Sequence, residues 1–175
     1  TVLVTGGARG ITFEILKSLV AAHPVRLAIL GRSDVERLDP TLAGPELDEA
    51  TLMARLKTEM QGAKPLEIKK ALDRVLRLRE SAVNLETLRA AGARVTYHAV
   101  DVNDAAAVDE AIGTIGAVDV VIHAAGIEES QMIPKKTRAS FDRVFDTKVT
   151  GLMHILKARE QTAPRCVMTF SSVTA

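Results

Sequence analysis

Val2-Leu3-Val4-Thr5-Gly6-Gly7-Ala8-Arg9-Gly10-Ile11-Thr12 decides the fold. The apolar start reads as a strand buried on both faces, and the glycines after it let the chain turn sharply. Past the turn, Ile11, Ile15, Leu16, Leu19 and Val20 recur at helical spacing, so the strand runs through a glycine turn into an amphipathic helix. Backbone N–H groups at a helix N-terminus favour negative charge, and glycine lets the backbone come close to a pyrophosphate. The segment is therefore expected to bind a dinucleotide.

Further apolar runs at Arg26-Leu30, Arg94-Val100, Val118-Ile122 and Cys166-Phe170 are separated by helical stretches. That alternation predicts an α/β, Rossmann-type doubly wound parallel sheet with helices on both faces. Asn103 or Asp104 is the expected cap of the helix carrying Val108 and Ile112, and a third unit runs through Arg138 to Glu160. The connection from Asp34 to Gly92 is far longer than one crossover helix needs and reads as a helical insertion between the second and third strands. Within it, Pro65 to Ala91 predicts a long helix with Ile68, Leu72, Val75, Leu76, Leu85 and Leu88 as an incomplete apolar stripe. Arg74, Arg77, Arg79 and Glu80 then form a solvated charged face. Asp39-Pro40 and Gly44-Pro45 signal turns, so the stretch before this helix is expected to be irregular. Because strand ends supply the usual cofactor contacts, the insertion is expected to lie outside the cleft.

The chain has 175 residues, 47% of them hydrophobic and 26% charged, which fits one ordinary globular domain. With 23 Lys and Arg against 22 Asp and Glu, its formal charge of +1 gives no reason to expect nucleic acid or an anionic membrane as partner. No apolar run is long enough to span a bilayer and no signal segment opens the chain, so it is expected to be cytoplasmic. Thr1 enters a strand at once and Ala175 closely follows another, which reads as part of a longer polypeptide, an incomplete dinucleotide-binding domain over 1–175. The single cysteine, Cys166, sits in an apolar run and reads as a buried core thiol.

Thr5, Gly6 and Gly10 in the turn resemble the Thr-Gly-x-x-x-Gly-x-Gly pattern of the short-chain dehydrogenase/reductase family, with Thr12 in place of the last glycine. A hydroxyl there is expected to face the phosphate. Gly31-Arg32-Ser33 carries no carboxylate where one would bind a ribose 2′-OH, while Arg32 and Ser33 offer donors to a 2′-phosphate, so NADPH is the expected cofactor. Arg9 is a nearby cation able to share that phosphate. The turn contacts are expected from Thr5, Gly6, Gly7, Ala8, Arg9, Gly10 and Ile11. The resemblance implies that Asp101 receives the adenine amino group and that Val102 lines the adenine pocket, helix capping being the other reading of Asp101. His123-Ala124-Ala125-Gly126 is similar to the family's Asn-Ala-Ala-Gly, with Ala124, Ala125 and Gly126 beside the cofactor and His123 a structural hydrogen-bonding residue.

Asp146-Thr147-Lys148-Val149-Thr150-Gly151 places a lysine where ordinary members carry asparagine, and so resembles ketoreductase domains of modular polyketide and related fatty-acid synthases. Lys148 is implied to be catalytic, holding the nicotinamide ribose and lowering the pKa of a tyrosine. Phe170-Ser171-Ser172 resembles the family's strand-terminal serines, which makes Ser172 the expected carbonyl-orienting residue. The tyrosine itself is expected beyond Ala175, since Tyr97 lies in the third strand. The long helical insertion is reminiscent of ketoreductases in polyunsaturated fatty-acid synthases and enediyne-type relatives. The implied reaction is NADPH-dependent reduction of a 3-oxoacyl thioester, with no metal. Its implied partners are an acyl carrier protein domain bearing the phosphopantetheine-linked chain and other domains of the same synthase. A free-standing reductase of a small carbonyl compound and a non-catalytic nucleotide-binding module remain the alternatives.

Overall fold

The computed structural model describes residues 1–44, 47–160 and 162–170. Five parallel strands, β1 (Val2–Thr5), β2 (Arg26–Gly31), β3 (Arg94–Ala99), β4 (Val120–His123) and β5 (Cys166–Thr169), form one sheet in the order β3-β2-β1-β4-β5. The register sets Thr5 of the central strand opposite Leu30 on one side and His123 on the other. All the C-terminal strand ends therefore meet along one edge. The order reverses between β1 and β4, and that is where an open α/β sheet leaves a crevice for ligand.

Strand alternation sends Val2, Val4, Leu27 and Ile29 to one face, where α1 (Gly10–Ala22) adds Phe13, Leu16 and Val20 and α4 (Pro65–Ala90) adds Leu85 and Leu88. Leu3, Ala28, Leu30 and Val121 point to the other face, under α5 (Ala105–Ile115) and α7 (Gly151–Ala158). Asp104 is the cap of α5, its carboxylate accepting from Ala106 and Ala107 N–H at 3.1 Å each.

The insertion is more ordered than its turn signals predict. Asp39 caps the short α2 (Pro40–Ala43), accepting from the Thr41 N–H at 2.8 Å, and Asp48 caps α3 (Glu49–Glu59), accepting from Thr51 at 2.7 Å. Leu42, Leu52 and Leu56 then close over Ile68, Leu72 and Val75 of α4 as a separate small core. The expected irregular stretch is helical because these leucines find a partner stripe on α4, which local turn propensity does not register. The charged face is also not uniformly solvated. Arg79 turns inward and donates to the Leu47 and Gly44 carbonyls at 2.7 and 2.6 Å.

Cys166 is exposed, contrary to the core thiol expected from its apolar run. β5 is the edge strand of the sheet, all four of its residues are exposed, and among the described residues no helix covers its faces.

Candidate nucleotide-binding cleft

The crevice at the reversal of strand order is a cleft of about 480 Å³, within the range of small-molecule sites. Four strand ends build it, β3 through Tyr97, Val100 and Val102. β1 contributes Gly6 to Gly10, β2 contributes Gly31, Arg32 and Ser33, and β4 contributes Ala124, Ala125 and Gly126. Thr147 lines it as well. Gly6 is required in the turn because its φ of +70° is left-handed and a Cβ there would stand 2.9 Å from the Ala124 carbonyl oxygen. The backbone thus stays bare where the cleft crosses the sheet.

Thr5 ties β1 to β4. Its hydroxyl oxygen accepts from the Ala124 and Ala125 N–H groups at 3.2 and 3.0 Å and lies 2.9 Å from His123 Nδ1. With its lone pairs taken by two amides, the hydroxyl donates to Nδ1, which fixes the proton of the neutral ring on Nε2. Burial pushes the His123 imidazole below its ordinary range, against the pull of the nearby Lys148 and Thr147 backbone, and Nε2 has no partner of hydrogen-bonding geometry. The structural role read for His123 agrees with this arrangement.

Between α6 (Arg138–Phe145) and α7 the helix widens into a π-type turn over Asp146–Thr150, a local expansion common at functional sites. Thr147 is drawn inward by donating to the Arg143 carbonyl at 2.8 Å and accepting from Asn103 Nδ2 at 3.3 Å. Its neighbour Lys148 is not part of the cleft lining but packs on Gly126, with Cε 3.4 Å and Nζ 4.0 Å from the position a Cβ would take there. The lysine and the small-residue motif after β4 therefore face each other. The segment leading to α6 is held by Glu129, which binds Arg143 at 2.7 Å and accepts from the Ser140 hydroxyl at 2.7 Å. The Arg143 guanidinium and then that hydroxyl bring the Glu129 carboxyl down to about 2.

At the other end, Arg32 is exposed beside Ser33, and Tyr97 donates its hydroxyl to the Ser33 carbonyl at 2.7 Å. Burial pushes the Tyr97 phenol up, so it stays a neutral donor.

The expected residues are not all brought together. Ile11 is 76% exposed and stands outside the cleft lining. Asp101 also lies outside the lining, its carboxylate accepting from the Asn103 N–H at 3.0 Å while Asp104 caps the helix. Thr12 is buried and does not line the cleft, so its hydroxyl is not turned toward a phosphate there. Ser172 lies outside the described residues.

The insertion, expected to stand clear, contributes a wall. Glu80 and Ser81 of α4 line the cleft, and Asn84 Nδ2 donates to the Ala8 carbonyl of the glycine turn at 3.0 Å. The cause is continuity: the half of α4 that must cover the sheet with Leu85 and Leu88 carries the adjoining turn over the end of β1. The apolar stripe gave the buried side of α4, but no local pattern marks which polar residue of a helix will border a distant turn. Among the described residues no group of His, Cys, Asp and Glu is placed to hold a metal ion, and no helix is long and apolar enough to cross a membrane.

The family model for the KR domain matches residues 1–175, the whole chain. One of the polyunsaturated fatty acid synthase polypeptides of Thraustochytrium sp. is 30% identical over 98% of this chain, which spans 7% of that relative. Polyketide synthase PksN of Bacillus subtilis is 31% identical over 55% of this chain and 2% of its own length. Among solved structures, an N-terminal ketoreductase from the macrolactin assembly line superimposes with a TM-score of 0.66 at 24% identity, covering 99% of this chain and 28% of that one.

Proposed function

Since the chain belongs to the KR (ketoreductase) domain family of oxidoreductases, we propose that it carries the cofactor-binding half of an NADPH-dependent reduction of a 3-oxoacyl thioester. The supporting observation is one continuous cleft running from Arg32 and Ser33, over the bare glycine turn, to Ala124, Ala125 and Gly126 with Lys148 against them. The shape fits a dinucleotide: the turn is closed to side chains by the Gly6 geometry and open at two ends of different chemistry, cationic at Arg32 and Arg9 and small at Ala124, Ala125 and Gly126, where Lys148 packs on Gly126.

Arg32, with Arg9 and Ser33, binds the 2′-phosphate, and the turn from Gly6 through Gly10 cradles the pyrophosphate at the start of α1. Val102 packs against the adenine. Bound in this way, the nicotinamide supplies a hydride to the β-carbon of the acyl chain. Lys148 holds the adjoining ribose and, as a cation, favours the anionic form of the proton donor, so the developing alkoxide is protonated more readily. Ser172 orients the carbonyl. Tyr97 is engaged with Ser33 at the far end and is not that proton donor. The substrate arrives on the phosphopantetheine arm of a carrier protein domain, with other domains of a cytoplasmic synthase as neighbours.

Titration of NADPH and NADH against Arg32→Ala tests the cofactor assignment. A guanidinium–phosphate bond contributes about 1.5–3 kcal/mol, so NADPH affinity should fall roughly ten- to a hundredfold with NADH nearly unchanged. Arg9→Ala added to it should remove what remains. Equal weakening of both cofactors, or of neither, would remove Arg32 from the site.

A further inference from the structure

We propose that Glu80, on the inserted helix α4, is a specificity-determining residue that weakens the preference of the cleft for a 2′-phosphate. The proposal rests on the reading of the cleft as a dinucleotide site. Among the described residues that line it, Glu80 is the one carboxylate, and it shares the lining with Arg9, Arg32 and Ser33. Its Oε2 lies 3.9 Å from Arg9 Nη1, both side chains being partly exposed. Neighbouring contacts fix where Glu80 stands. Ser81, beside it, is buried with its hydroxyl on the Arg77 carbonyl at 2.9 Å, and Asn84, one turn on, holds the Ala8 carbonyl.

A carboxylate in this place acts twice. It occupies the Arg9 guanidinium that a 2′-phosphate would need, and its own charge repels the incoming dianion. A ribose 2′-OH, which is neutral and can donate to a carboxylate, meets neither penalty. The two arginines therefore do not express their full attraction for NADPH, and the ratio between the two cofactors is set across the glycine turn by a residue from the insertion as well as by the end of β2.

Adenosine 2′,5′-bisphosphate and 5′-AMP, titrated by calorimetry into the full chain, separate the 2′-phosphate from the rest of the ligand. The pair is partly exposed and its interaction modest, so Glu80→Gln should tighten the bisphosphate about three- to fivefold and leave 5′-AMP unchanged. The gain should shrink at 1 M salt and be smaller, though still present, when Arg9→Ala is also there, because the direct repulsion between the Glu80 carboxylate and the 2′-phosphate remains. Glu80→Lys should tighten the bisphosphate further. An unchanged ratio in both Glu80 variants, or a gain insensitive both to 1 M salt and to Arg9→Ala, overturns the role of Glu80 while leaving the cleft assignment intact. Failure of wild type to bind either nucleotide overturns the cleft assignment and this proposal with it.

Discussion

The two halves of α4 differ in what they cover. The N-terminal half, through Ile68, Leu72 and Val75, packs on Leu42, Leu52 and Leu56 in a small core of its own. The C-terminal half, through Leu85 and Leu88, belongs to the main core with Phe13, Leu16 and Ile29, and it borders the cleft. One helix thus joins an appended helical unit to the proposed nucleotide cleft. The same burial of leucine has consequences of different reach in the two halves, because a core shared with the sheet supports every strand end, whereas the appended core supports α2 and α3.

The widest contrast should come from Leu88→Ala and Leu72→Ala, at positions 0% and 2% exposed. Truncating a buried leucine costs about 2–5 kcal/mol in either place. Leu88→Ala should lower the melting temperature of the whole domain and weaken nucleotide binding with it. Leu72→Ala should remove hydrogen-exchange protection from 49–78 and leave the strands protected. Equal loss of strand protection in both variants would show the halves to be a single cooperative unit.

Arg79→Ala sharpens the same boundary. The side chain holds the Leu47 and Gly44 carbonyls, and losing two charge-assisted bonds should cost about 1.5–3 kcal/mol, read as faster exchange in α3 with nucleotide affinity unaltered. The smallest effect is expected from Asn84→Ala, which frees the Ala8 carbonyl. One neutral hydrogen bond contributes about 0.5–1.5 kcal/mol, and here the change should appear as a few-fold loss of dinucleotide affinity with little change in melting. If Asn84→Ala lowers melting and leaves affinity alone, the C-terminal half serves the core only.

Much of this was readable along the chain because the signals are local and periodic. Val2-Leu3-Val4 followed by glycines specifies a strand and a turn, the spacing of Leu72, Leu85 and Leu88 specifies a helix, and both period and turn chemistry act within a few residues. Lys148 was singled out from its surrounding motif, and it lies against Gly126 without lining the cleft. Asp101 and Ile11 were named from the same kind of resemblance, and they stand at the edge of the cleft region without lining it, because a motif records neighbours in sequence and not the direction of a side chain.

Local pattern therefore sets the strand-and-helix alternation, the glycine turn, and the existence and apolar side of α4. Tertiary structure decided that Glu80, Ser81 and Asn84 border a turn some seventy residues earlier, that Lys148 meets Gly126, that Asp39 and Asp48 begin helices rather than loops, and that Cys166 lies exposed on an edge strand. Each of these depends on which distant surface a residue is packed against. Hydrophobic burial is non-directional and fixes which side of an element faces inward; the polar contacts along its margin follow only once the partners are in place.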